Sequence, residues 1–168
     1  MRNAIVLAPH PDDELIGCFH VLIKTVAEVF ILDVESESRE LRMAEAEKLA
    51  GTLTYDIDFL SLEMLRRCLK SRPKDTIIYA PDPTFETHPD HKLMGSVGAE
   101  MLRNHKREVI FYSINMQAPY IYALPSDVAT QKKNRLEEFY PSQKDLWVTD
   151  ARYYLFEGYC KWLDPTLV

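Results

Sequence analysis

The stretch Ala4-Ile5-Val6-Leu7-Ala8-Pro9-His10-Pro11-Asp12-Asp13-Glu14 decides the fold class. Five apolar residues in a row suit a strand covered on both faces, because a strand with one wet face alternates apolar with polar side chains. Pro9 then ends the run, since its ring fixes φ and removes a backbone donor. Val29-Phe30-Ile31-Leu32, Thr76-Ile77-Ile78-Tyr79 and Val109-Ile110-Phe111-Tyr112 repeat the pattern. Between them the spacing predicts a helix over Ser38 to Leu49 with Leu41, Ala44 and Leu49 on its apolar side, another over Met64 to Leu69, and a third over His91 to Asn104. Two late helices are expected over Asp127 to Phe139 and Asp150 to Trp162. Alternation of this kind predicts a three-layer α/β fold with a mainly parallel sheet. No repeat, low-complexity tract or linker divides the chain, so one domain is expected over residues 1–168.

Composition narrows the function classes. The chain has 168 residues, of which 46% are hydrophobic, and it is long enough to bury a core without disulfides or a structural metal. Its 20 Lys and Arg against 26 Asp and Glu give a net charge of −6, which argues against a surface that wraps duplex nucleic acid. The five glycines form neither the dinucleotide fingerprint nor the Lys-containing phosphate loop. No signal-peptide core or membrane span is readable at the amino end, so a cytoplasmic protein without integral membrane association is expected. Cys18, Cys68 and Cys160 lack Cys-x-x-Cys spacing and are expected as buried thiols.

Two loops carry the chemistry. The first, Pro9-His10-Pro11-Asp12-Asp13-Glu14, follows the first strand; the second, Asp82-Pro83-Thr84-Phe85-Glu86-Thr87-His88-Pro89-Asp90-His91, follows another. Both leave carboxyl ends of strands, where open parallel sheets bind ligands, so they are expected to converge. Imidazoles with a carboxylate favour Zn²⁺ over Mg²⁺ or Ca²⁺, and three protein ligands leave the open position that catalysis needs. His10, Asp13 and His91 are therefore assigned as ligands. Asp12, between two of them, is placed to act as base on a bound water. His88 and His91 would share a face if Pro89 starts a helix, which leaves His88 to reach substrate. Competing uses are an Asp12 or Asp13 that caps a helix and a His88 bonded to backbone. His20 and His105 are isolated, and no chemistry is expected of either.

These residues resemble the LmbE-like, or PIG-L, family of zinc-dependent N-acetylglucosaminyl deacetylases. His10-Pro11-Asp12-Asp13-Glu14 and His88-Pro89-Asp90-His91 look like its two motifs, in the right order and each after a strand. Arg39 with Ala46 and Gly51 falls where the family has an Arg-led helix ending in Gly, and Lys133 followed by Tyr140-Pro141-Ser142-Gln143 resembles its late Lys and Ser-Gln segment. The resemblance implies a partly Rossmann-like fold. It also implies zinc on His10, Asp13 and His91, with Asp12 as general base and His88 as the group that stabilises the oxyanion or protonates the departing amine. Arg39 becomes a candidate for gripping substrate, and Asp90 for holding His88 cationic. The chain departs from the family at Phe19-His20, where many relatives have glycines, and at Arg42, where Glu is usual.

The expected activity is removal of an N-acetyl group from an amino sugar or sugar conjugate by a zinc-activated water. Other expectations are hydrolysis of another amide or ester on a thiol-sugar or modified nucleotide substrate, and a non-catalytic metal or sugar-nucleotide binding module. The late aromatics Tyr120, Tyr122, Tyr140, Tyr153, Tyr154, Phe156, Tyr159 and Trp162 can stack on sugar faces, but packing of the last helix on the body or on a partner subunit is the expected use. A homo-oligomer is expected because the family often assembles.

Overall fold

A computed structural model describes residues 3–160. The parallel strands are β1 (Ala4–Ala8), β2 (Ala27–Leu32), β3 (Asp56–Leu60), β4 (Ile77–Pro81) and β5 (Val109–Ser113). Helices α1 (Asp13–Lys24), α2 (Arg39–Leu53), α3 (Leu62–Ser71) and α4 (Pro89–His105) connect them in turn. β6 (Tyr120–Ala123), α5 (Ser126–Phe139), the short α6 (Lys144–Val148) and α7 (Arg152–Leu155), and β7 (Phe156–Tyr159) complete the described chain. The seven strands form one sheet in the order β3-β2-β1-β4-β5-β7-β6, with β7 antiparallel to both neighbours.

The apolar runs are buried on both faces, as their composition requires. In β1, Ala4, Val6 and Ala8 face a core that includes Leu15 and Phe19 of α1, Leu49 of α2 and Leu136 of α5. Ile5 and Leu7 face the opposite core, with Leu65 and Leu69 of α3 and Val97 and Met101 of α4. Two cores on either side of one mostly parallel sheet make three layers. No helix among the described residues is long and apolar enough to cross a membrane.

Three expectations need correction. The stretch from Asp150 does not form one long helix: after one turn of α7 it becomes β7, which pairs with β5 and β6. Glu157, Gly158 and Tyr159 are all buried in a short strand between β5 and β6, and that pairing overrides the helical reading; Trp162 lies outside the described residues. In α2 the buried side is Glu45, Ala46, Leu49 and Ala50, whereas Leu41 is exposed. Of the thiols, only Cys18 is fully buried; Cys68 and Cys160 are half-buried.

Sheet order also positions the loops. β1 pairs with β4 in parallel, and chain succession runs outward from this pair in both directions. Loops leaving the carboxyl ends of β1 and β4 therefore open into one crevice, the topological switch point where ligands bind in open α/β sheets.

Candidate metal centre

The loop after β1 turns sharply enough to present three consecutive acids. Asp12 adopts φ 106°, a left-handed conformation that strains any residue with a Cβ. Its backbone N–H donates to Glu14 Oε2 at 3.1 Å, and Glu14 in turn accepts from the hydroxyls of Tyr140 and Tyr55. Burial pushes the Glu14 carboxyl up to about 7, against the hydrogen bonds it accepts. Arg42 donates to Pro11 O at 2.7 Å and to Asp12 Oδ1 at 3.2 Å, which ties α2 to the outside of the turn. The turn thus leans on three buried or half-buried side chains that lie outside it, those of Tyr140, Tyr55 and Arg42.

The loop after β4 is built around Asp82 and Glu86. Asp82 Oδ1 accepts from the N–H groups of Thr84 and Phe85, an Asx-type turn that stiffens the run of residues up to His88. Glu86 Oε1 accepts from Ile114 N at 2.7 Å, and its other oxygen lies 2.9 Å from His91 Nδ1. Pro89 opens α4, as a proline can at a first helical position, and puts His91 on the inward side of the first turn.

These loops bring His10, Asp13 and His91 together. His10 Nδ1 lies 3.3 Å from Asp13 Oδ2, His91 Nε2 lies 3.2 Å from the same oxygen, and the two nitrogens are 3.3 Å apart. A tetrahedral ion with bonds of about 2.0–2.1 Å sets its ligand atoms about 3.3–3.4 Å from one another, so the triangle fits one. Each imidazole turns its other nitrogen to a carboxylate: His91 Nδ1 to Glu86, and His10 Nε2 to Asp90 Oδ2 at 3.0 Å. Such outer carboxylates fix the ring and raise ligand basicity in metal sites.

A cluster of His10, His88 and His91 can hold a metal ion, with ligand atoms within 4.8 Å of one another. Asp13 makes the tighter third corner, because His88 is committed elsewhere. His88 caps α4, where its Nδ1 accepts from Asp90 N at 3.2 Å, and its side chain stands 52% exposed at the mouth. Its ring meets that of His10 edge to face at 4.8 Å between centres.

Electrostatics point the same way. Burial works against a charged His91, yet the Asp13 and Glu86 carboxylates push it up to about 10. Burial also opposes ionisation of Asp13, but His91 and His10 hold it well below the usual carboxylate range. Two carboxylates facing two imidazoles mark a locus where positive charge is strongly favoured. Asp12 shows the opposite balance: burial, then the Asp13 charge, push it well above its ordinary range while Arg42 works downward. Asp12 Oδ2 is buried and has no hydrogen-bond partner among the described residues. Neither of its side-chain oxygens caps α1, although the residue occupies the cap position.

The crevice over this cluster has a volume of about 390 Å³ and is closed by Ile16, Ile114, Asn115, Gln143 and Tyr153. Phe19 and His20 do not enter it. Both are buried in α1, and His20 engages Glu157 of β7. Arg39 is held by Asp33 through two hydrogen bonds of 2.6 and 2.8 Å and borders a smaller adjoining hollow with His10 and Arg42 rather than the crevice itself. Asp90, expected beside His88, is nearer His10: 3.0 Å against 3.7 Å. Lys133 pairs with Glu137 on the surface, while the adjacent Lys132 is fully buried.

Sequence reasoning passed over Glu86, Arg42, Asn115 and Tyr153 as contributors. Glu86 had a signal, an acid five residues before a candidate ligand within the same loop. Asn115 had none, because its approach depends on the chain leaving β5, and Tyr153 had only its place among the late aromatics. Comparison with family models, with curated proteins and with solved structures finds no match for this chain.

Proposed function

We propose that this protein is a zinc-dependent amide hydrolase that removes an N-acetyl group from an amino sugar or sugar conjugate. The observation that carries the reading is the triangle of His10, Asp13 and His91 ligand atoms beside the unpartnered Oδ2 of Asp12. Two imidazoles and one carboxylate are the donor set of catalytic rather than structural zinc sites, and their outer carboxylates are in place. When bound, zinc supplies Lewis acidity toward an amide carbonyl and brings water to a pKa of about 7. The resemblance to LmbE-like deacetylases, and a Rossmann-like reading of the order β3-β2-β1-β4-β5, belong to the same proposal.

The chain's own residues divide the remaining work. Asp12 takes the proton of the attacking water on Oδ2, while Arg42 on Oδ1 fixes the carboxylate plane and keeps the ionised form accessible. His88, held by its Nδ1 cap on α4 with the rest of its ring exposed at the mouth, stabilises the developing oxyanion and returns a proton to the departing amine from Nε2. Asp90 acts on His10, and Glu86 on His91, as orienting carboxylates. Ile16, Ile114 and Tyr153 form walls that suit the acetyl methyl and a sugar face.

Acetate release from a panel of N-acetylated sugars and nucleotide sugars, with and without chelator, tests this. Release that chelator abolishes and zinc restores is the expected result. Bound zinc with no release from any member would instead favour a binding module.

A further inference from the structure

The opposite end of the sheet holds a second, basic hollow. α3 ends at Ser71 and α4 at His105, just before β4 and β5 begin, so this place lies at the amino ends of those strands, away from the metal loops. The hollow has a volume of about 350 Å³. Lys70, Arg72, Lys74, His105, Lys106 and Arg107 line it, over a floor of Leu69 and Met101, and no acidic side chain does.

In a chain of net charge −6 such a concentration is not a by-product of general basicity. Cations at helix C-termini do complement the helix dipole, and Arg107 performs that task here. It is only 4% exposed and donates to the carbonyls of Leu69, Arg72 and Pro73 at 3.3, 2.8 and 2.6 Å. Those acceptors belong to the end of α3 and the turn after it, and neither Lys74 nor Lys106 forms an ion pair among the described residues. Two donors also remain unused: the buried Nε atoms of Arg107 and Arg72 lack partners among the described residues. Glu28 on Arg72, and Glu100 on Lys70 and His105, sit at the rim and offset only part of the charge.

We propose that this hollow binds a compact oligophosphate, at a site separate from the metal centre. A phosphate carries about −1.5 to −2 charge near neutrality and offers several acceptor oxygens, so two or three linked phosphates match the uncompensated cations better than a single carboxylate. An inorganic chain and the phosphate arm of a nucleotide present the same chemistry to this surface.

Calorimetric titration of the full chain with orthophosphate, sulfate, diphosphate, triphosphate and a nucleoside diphosphate tests the site, each with and without prior chelator treatment. Diphosphate is expected to bind more tightly than orthophosphate, independently of chelator, and to weaken as salt rises. Tighter binding of the nucleoside diphosphate than of diphosphate identifies a nucleotide as the source, and equal binding identifies the inorganic chain. K74E combined with K106E, both on exposed positions, is expected to weaken diphosphate at least roughly tenfold, with K74Q and K106Q intermediate. H91A, which dismantles the metal triangle, is expected to leave diphosphate binding unchanged. Loss of binding in H91A, unaltered binding in the charge-reversed variant, sulfate binding as tightly as diphosphate, or no binding at millimolar diphosphate would each overturn the proposal.

Discussion

His91 Nε2 lies 3.3 Å from His10 Nδ1, although 81 positions separate the two residues. Only the adjacency of β1 and β4 makes this contact possible, and both rings reach it with their far nitrogens already engaged by carboxylates. A protonated His91 can donate from Nε2 to this neighbourhood, and a single cation held between the two rings would fit the same spacing.

Removing an outer carboxylate should loosen the ion without removing a ligand. Glu86 bridges His91 to Ile114 N, so E86Q leaves the fold's hydrogen bond largely replaceable while weakening the hold on His91. Zinc affinity, read by competition with a chromophoric chelator, should fall about 10- to 100-fold. H91A should lose stoichiometric zinc altogether. Equal zinc retention in E86Q and the unaltered protein would remove Glu86 from the centre.

Base and ligand should separate cleanly. Asp12 stands beside the triangle but is not one of its corners, so D12N should keep zinc and lose turnover by roughly 10²- to 10⁴-fold. Metal content measured alongside kcat decides the matter. D12N with near-normal kcat and full zinc would dismiss it as the base.

Much of this arrangement was legible in the sequence, and the reason is local. Continuous apolar runs announced the buried strands, prolines marked their ends, and the His and Asp residues of both loops are neighbours in the chain. What stayed hidden depends on distant packing. Arg42 reaches Asp12 across 30 positions, Tyr140 reaches Glu14 across 126, and no periodicity encodes either. β7 was misread as helix because aromatic and charged residues at Tyr153 to Tyr159 fit both periods, and only the buried partners of Glu157 choose between them.

Two glycines in helices should respond oppositely to alanine. A methyl at Gly95 would stand 2.5 Å from the carbonyl oxygen of Pro81 and 2.9 Å from Pro83 N, both backbone atoms that cannot swing aside. Gly95 is one turn beyond His91, so the displacement of α4 would carry the ligand with it. G95A should cost about 1–3 kcal/mol and weaken zinc binding. Gly51 of α2 has nothing within 4 Å, and G51A should gain up to about 1 kcal/mol through helix propensity. Thermal unfolding of both variants checks the contrast.

The buried cluster behind α1 should give part of the acid sensitivity. Glu157 is fully buried and meets His20, Lys132 and the Tyr159 hydroxyl, with the Cys18 thiol close by. Burial alone would raise its pKa, but the charges of His20 and Lys132 outweigh this and hold the carboxyl below its ordinary 4.5. Because the folded value is depressed, the unfolded chain binds the proton first as pH falls. The stabilisation is therefore present in full above about 4.5 and disappears as pH drops through the lower folded value. E157Q leaves Lys132 buried without a counter-ion and should lose about 3–5 kcal/mol at pH 7. Denaturant titrations at pH 7, 5, 4 and 3 should show that gap constant down to about pH 5 and shrinking below it. Carboxylates of the metal centre titrate alike in both proteins, so the difference isolates Glu157. A gap that stays the same at pH 3 would mean that Glu157 titrates alike in the folded and unfolded chains and that His20 and Lys132 do not hold its ionised form.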